Sequence, residues 1–244
     1  MTPEQLAQMA GTNAYKGGHV GGSYYDTLTL GKDGKFYLSF YSQKKEERED
    51  PKALSGSVDL TILKIRGKLT KWQDNAKVLE SVEYDAGTTE IATNKGIMSE
   101  KEAKDFGAKK SLVVYADYKG SLVKLTVSGG SLYNPDDEED LRLYSYLQSF
   151  EGDDHTFMVQ TKVKAKEVEY EFDGESKTTY HMTFAKGKAS DLRVVGELLT
   201  SLTESLPEND ARDLKFIGWT KKAEEQYEGT EVKTETEDGE EEPF

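Results

Sequence analysis

Apolar and polar positions alternate with a period of two along much of the chain. In Lys35–Tyr41, Phe36, Leu38 and Phe40 alternate with Lys35, Tyr37, Ser39 and Tyr41. A strand there has one apolar face and one basic, aromatic and polar face. The preceding run, Tyr24–Leu30, joins it through Gly31-Lys32-Asp33-Gly34, a loop suited to a hairpin. Val58–Leu69 reads as a long strand in which Leu63, Ile65 and Leu69 are opposite in parity to Lys64, Arg66 and Lys68. Leu112–Tyr118 and Leu122–Val127 predict a second hairpin around Lys119-Gly120. Thr156–Phe172 and Lys177–Phe184 predict a third, around Asp173-Gly174-Glu175-Ser176.

Helical spacing interrupts this pattern in four places. Thr2–Ala10 has Thr2 as cap, Pro3 at the first helical position and Gln5 completing a capping box. Ser99-Glu100-Lys101-Glu102 opens a short helix with a second capping box, closed near Gly107. Asp136–Phe150 carries acids in its first turn and Leu143, Tyr144, Leu147 and Phe150 at helical spacing. Asp191–Leu206 places Leu192, Val195, Leu199, Leu202 and Leu206 on one face, with Pro207 as its stop. The stretch with Gly11, Gly17, Gly18, Gly21 and Gly22 reads as a flexible loop without the Gly-Lys-Ser/Thr ending of a phosphate loop. Leu214–Trp219 is a candidate final strand.

Hairpins with interspersed helices, and no regular strand–helix alternation, argue against a parallel doubly wound sheet. The expected fold is mainly β: an OB-like, partly open antiparallel barrel with helical insertions over residues 1–219. A flexible, disordered acidic tail is expected over 220–244.

Composition sharpens that division. Residues 220–244 carry three lysines against ten carboxylates, so half of the net charge of −14 lies in the last tenth of the 244-residue chain. Acidic blocks of this kind are interaction tails. The body keeps the other half, so a nucleic-acid surface on it has to be a local basic stripe. There is no cysteine, which removes disulfides and thiolate chemistry. The amino-terminal residues lack signal-peptide character, and no apolar run approaches ~18 residues. These features lead to the expectation of a soluble protein, without a membrane association, in the cytoplasm of a cell or of an infected cell.

Catalysis finds little support. His19, His155 and His181 have no metal-ligand spacing, and no Gly-x-Ser-x-Gly elbow is present. Glu175-Ser176-Lys177 has the Glu-x-Lys form of some nucleases but falls in an expected hairpin turn. The expectation is a non-enzyme with no cofactor and no metal.

Binding chemistry is better represented. Lys162, Lys164 and Lys166 alternate along one strand, about 6.5–7 Å apart on one face. That spacing is near the backbone repeat of a stretched single strand. Lys64, Arg66 and Lys68 form a second stripe of the same geometry. Val163 and Ala165, on the opposite face from the first stripe, continue an apolar set begun by Phe157 and Val159. Sequence-independent binding pairs a basic groove with aromatic platforms. Tyr37 and Tyr41, flanked by Lys35, Lys44 and Lys45, and Trp72, beside Lys71, are the first candidates. Tyr115 and Tyr118, near Lys119, come after them.

The last residues are Glu240-Glu241-Glu242-Pro243-Phe244. A Phe ring with carboxylates around it suits a partner pocket that is apolar and rimmed by Arg or Lys. This ending resembles that of bacterial single-stranded DNA-binding proteins, and is similar to that of bacteriophage proteins of the same class. The resemblance implies binding of single-stranded DNA in replication, recombination or repair. It also implies a tail, through Glu240, Glu241, Glu242, Pro243 and Phe244, that recruits replication or repair proteins and competes with DNA. Self-association into a homo-oligomer is compatible with it. Two alternatives stand beside this reading: an acidic protein-interaction or decoy protein that never touches DNA, and an RNA-binding module.

Overall fold

The computed structural model describes residues 25–41, 49–74, 76–133, 141–151 and 154–205. The expected helix Thr2–Ala10, the glycine-rich stretch, Lys44, Lys45, the candidate strand Leu214–Trp219 and the acidic tail lie outside these residues. The described part is mainly β. Its strands are β1 (Asp26–Leu30), β2 (Phe36–Ser39), β3 (Lys52–Ala53), β4 (Ser57–Gln73), β5 (Ala76–Glu80), β6 (Ile91–Thr93), β7 (Gly96–Met98), β8 (Lys109–Tyr118), β9 (Ser121–Ser128), β10 (Val159–Phe172) and β11 (Glu175–Ala189). The helices are α1 (Glu100–Asp105), α2 (Leu143–Gln148) and α3 (Leu192–Ser205). None is long and apolar enough to cross a membrane.

Nine strands form one sheet in the order β11-β10-β4-β8-β9-β1-β2-β3, with β5 pairing β4 off that path. The β1–β9 pair is parallel and its neighbours along the path are antiparallel. As hydrogen-bonded, the sheet is open, with β11 at one edge and β3 at the other. The chain nevertheless runs from β3 through Leu54–Gly56 directly into β4. Within that passage Leu54 N–H donates to Phe36 O (2.7 Å), Phe36 N–H donates to Ser55 O (3.1 Å) and Ala165 N–H donates to Gly56 O (2.8 Å). One continuous stretch therefore touches β2 at its beginning, then β10, then β8.

Two hairpin turns follow from their residues. Lys119 and Gly120 have φ of 57° and 84°, and Asp173 and Gly174 have φ of 58° and 76°. Left-handed conformations at both central positions match the twist of the flanking strands. Asp-Gly supplies both positions, so the third hairpin closes in two residues rather than four. Glu175 and Ser176 already belong to β11.

Apolar side chains collect in three clusters. The first gathers Leu28, Phe36, Leu60, Ile62, Val114, Leu125, Val163 and Phe184, and α2 covers it with Leu143 and Tyr146. Because β2 and β4 are far apart in the sheet order yet share this cluster, the sheet curls around it. On the opposite face α3 presses Val195, Leu199 and Leu202 against Tyr25, Leu63, Val113, Tyr115 and Phe157. Each fully buried Leu or Phe stabilises by roughly 1.5–3 kcal/mol. A third cluster, with Leu69, Leu79, Tyr84, Ile91 and Ala103, ties β5, β6 and α1 to the far end of β4.

The simple parity expected for β4 does not hold. A bulge between Ile62 and Lys64 inserts one residue and shifts the alternation. Val58, Leu60 and Ile62 face the first cluster, Leu63 enters the second, Ile65 returns to the first and Leu69 joins the third. Phe157 likewise belongs to the second cluster while Val163 belongs to the first, so they are not one continuous apolar face. A single 3-10 turn over Thr156–Met158 and a register shift between Val159 and Thr161 separate them.

The helices agree in place but not always in length. The α1 capping box forms as expected between Ser99 and Glu102. Asp191 caps α3, its Oδ1 accepting from Arg193 N–H at 3.0 Å. In place of Asp136–Phe150, helix α2 covers only Leu143–Gln148 of the described residues.

Candidate nucleic-acid interface

A groove of about 910 Å³ opens where the β4–β5 hairpin, α1, the start of β8 and the end of β9 meet. Lys68, Lys71 and Trp72 line it from β4, Lys77 from β5, Lys104 from α1, Lys109 and Lys110 from β8, and Tyr133 from the segment after β9. Glu80 is the single carboxylate among its lining residues.

The β4–β5 hairpin explains the position of Trp72. A register shift between Lys71 and Trp72 sets Trp72 opposite Lys77. The indole is 60% exposed, with the Lys77 ammonium 5.4 Å from its centre. Lys71 bridges to the end of α1: its Nζ donates to Phe106 O at 2.8 Å and lies 4.3 Å from the Phe106 ring centre. Tyr133 is 61% exposed and stacks on Tyr144 with ring centres 4.9 Å apart.

Two carboxylates hold four of the lysines. Glu80 Oε1 accepts from Lys68 at 2.6 Å and from Lys77 at 2.8 Å. Burial pushes the Glu80 carboxyl upward, but the two lysines outweigh it and leave the group below its ordinary value. Behind the groove, Glu100 pairs with Lys104 at 2.6 Å and Lys110 at 2.8 Å, and accepts from the Tyr84 hydroxyl at 2.9 Å. Burial again raises its carboxyl, and hydrogen bonds from Lys104, Lys110 and Tyr84 override that and hold it at about 2. Six lysines thus line the groove and two carboxylates, one of them outside the groove wall, hold four of them, in a chain with a net charge of −14.

The second expected stripe is divided. Only Lys68 reaches the groove. Lys64 and Arg66 both face Asp85 at 3.6 Å, and Arg66, 3% exposed, also donates to Glu83 O. Burial pushes the Lys64 ammonium down, with Asp85 opposing. Nearby, Glu83 takes the Tyr115 hydroxyl and the Lys124 ammonium. This network clamps the Ser81–Asp85 segment onto the sheet. Tyr115 is fully buried within it and is no base platform. Its phenol is pushed well up, by burial first and by Glu83 second.

The other expected residues lie elsewhere. Lys162 and Lys164 are exposed on β10 with Val163 buried between them, and Lys166 is half-buried. They flank the start of β4, paired there with Asp59 and Ser57, whereas the groove lies at its end. Lys35 is exposed beside Asp33 at 3.7 Å. Tyr37 is half-buried and its hydroxyl donates to Asp33 at 2.9 Å, while Tyr41, also half-buried, gives its backbone N–H to Asp26. In the sheet order β2 is separated from β4 by β1, β9 and β8. Of the expected residues the groove brings together Lys68 and Trp72 alone. Lys44, Lys45 and Glu240, Glu241, Glu242, Pro243 and Phe244 lie outside the described residues.

Sequence reasoning missed Lys77, Lys104, Lys109, Lys110 and Tyr133. The adjacent pair Lys109-Lys110 was the only linear signal, because separate elements supply the rest. Among the described residues no group of three His, Asp or Glu side chains is placed to hold a metal. Compared with known proteins, the chain matches no family model, no curated relative and no solved structure.

Proposed function

We propose that this protein binds single-stranded DNA without sequence preference, in replication, recombination or repair, through the lysine groove beside Trp72 and Tyr133. The observation that carries the reading is the convergence of six lysines and two exposed aromatic rings on one groove of a strongly acidic chain. Ammonium groups repel one another, so gathering them against the overall charge implies an anionic ligand. Lysines neutralise phosphates, and each base stacked on an aromatic ring adds ~1–3 kcal/mol.

An OB-like, partly open barrel is the architecture we propose for the body. In its support, a parallel β1–β9 pair interrupts an otherwise antiparallel path, and β3 runs into β4 while the first cluster draws on β1, β2, β4, β8 and β9. The acidic stretch 220–244 would recruit partner proteins and, like-charged with DNA, compete for the groove.

The test is fluorescence anisotropy of a labelled oligothymidylate with the full chain at a series of salt concentrations, repeated with a matched RNA competitor. The expected log–log slope is about −0.7 for each phosphate neutralised. Absence of binding at low salt would overturn the proposal.

One observation favours a second reading, protein–protein interaction. Beyond its pairing with β4, the β10–β11 hairpin continues as a two-stranded ribbon carrying Glu167, Glu169, Glu171, Asp173 and Glu175, with Tyr170 and Phe172 45% and 60% exposed. Acids alternating with exposed rings suit a basic, apolar partner surface. Insensitivity of all nucleic-acid binding to the groove lysines would favour it.

A further inference from the structure

Glu80 is the single carboxylate among the residues lining the groove. One oxygen, Oε1, receives Lys68 from β4 and Lys77 from β5, at 2.6 Å and 2.8 Å. The same Lys77 ammonium lies 5.4 Å from the Trp72 ring centre. Glu80 cannot simply swing aside with its backbone: its N–H donates to Asn94 Oδ1 and its carbonyl accepts from Asn94 N–H, both at 3.1 Å. Its side chain is only 11% exposed, whereas that of Lys77 is 41% exposed. The carboxylate is fixed and the lysine has room to move. Two ammoniums gathered on one oxygen, next to an exposed aromatic face, is the arrangement that a backbone phosphate and its base would require.

We propose that Glu80 is a built-in phosphate mimic, holding Lys68 and Lys77 converged until DNA binds and giving them up to a backbone phosphate beside Trp72. The inference rests on the groove binding single-stranded DNA. Glu80 then has two opposed effects. It pre-arranges the lysines, which lowers the ordering cost of binding, and it repels the incoming phosphate. Lysines already gathered by strand pairing need little further arrangement, because β4 and β5 are tied together at Thr70–Glu80 and Lys71–Leu79. Repulsion is the larger effect, and Glu80 acts as a brake on affinity. Glu100 also gathers two lysines but lies outside the lining of the groove, so it serves as the natural control.

Affinities for a labelled oligothymidylate are measured with the full chain carrying Glu80→Gln or Glu100→Gln. Glu80→Gln is expected to tighten binding about 3- to 10-fold at low salt, the scale of one charge contact at about 4 Å in a water-like medium. Glu100→Gln is expected to tighten it by less. Lys68→Gln should weaken binding more in the Glu80→Gln background than alone, because Lys68 is then wholly available to phosphate. Equal tightening by the two Gln variants would mean a through-space charge effect and would overturn the assignment. So would unchanged or weaker binding by a folded Glu80→Gln protein; the wild-type chain would still bind, leaving the DNA reading intact. If Glu80→Gln fails to fold, Lys77→Gln against Lys109→Gln decides the matter. Lys77, already shared with Glu80, should cost less affinity than Lys109, and an equal or greater cost refutes the proposal.

Discussion

Replacing Trp72 by alanine separates stacking from charge in a single set of titrations. The indole is 60% exposed and lines the groove beside Lys77, so its removal takes little from the core. Surface changes of this kind cost about 0.5 kcal/mol of stability or less. If the ring stacks one base, its loss costs ~1–3 kcal/mol of binding, a weakening of about 5- to 150-fold. Stacking releases no counterions, so a log–log plot of affinity against salt should move down without changing slope. Lys109→Gln should behave in the opposite way. Lys109 lines the groove and has no carboxylate partner among the described residues. Neutralising it should lower the magnitude of the slope by about 0.7. The assay is anisotropy of labelled oligothymidylate over several salt concentrations, with urea midpoints to verify that each variant folds. Quenching of Trp72 fluorescence in a Trp219→Phe background gives an independent signal. A Trp72→Ala protein that binds within twofold of wild type, or whose slope changes as much as that of Lys109→Gln, would refute the stacking role.

Three further outcomes test the structure from other sides. The paired mutant Lys109→Glu/Lys110→Glu should abolish most DNA binding, while Lys162→Glu/Lys164→Glu, at the opposite end of β4, should weaken it severalfold at most; the reverse ranking in the same titration would move the site to β10. Glu100→Gln should lose about 1–2 kcal/mol at pH 7, discounted from the ~3 kcal/mol that a shift from 4.5 to about 2 implies because the side chain is 28% exposed. The native carboxyl is depressed, so its contribution is complete above the unfolded value and disappears as pH falls from 4.5 through about 2; a gap between the two proteins that stays constant in urea melts down to pH 2 would contradict the ion pairs. Phe184→Ala should cost ~3–5 kcal/mol in the same melts, because the ring is 2% exposed and stacked on Tyr146 at 5.9 Å, and a loss under 1 kcal/mol would disprove that packing.

What was legible in the sequence was whatever the chain encodes locally. Turn chemistry located the hairpins at Lys119-Gly120 and within Asp173-Gly174-Glu175-Ser176, and the backbone adopts left-handed conformations at Lys119, Gly120, Asp173 and Gly174. The Ser99 and Glu102 capping box and the apolar stripe of α3 were equally plain, since each depends on residues within a few positions. Long-range consequences were not legible. A single inserted residue at Leu63 shifts the alternation of β4, and nothing in Leu63-Lys64-Ile65-Arg66 marks where the bulge falls. The fate of the Lys64 and Arg66 stripe depended on Glu83 and Asp85, which return to β4 only because β5 folds back on it and the Gly67–Tyr84 bridge seats them. The groove is the extreme case. Lys68, Lys77, Lys104 and Lys109 come from four elements, and each in isolation is an ordinary exposed or half-buried strand or helix lysine. A stripe along one strand is visible as a period of two, whereas a groove assembled across strands has no period at all. Regular lysine spacing was therefore the weaker guide to the groove, and the exposed tryptophan at a hairpin end, which needed no partner to be noticed, was the stronger one.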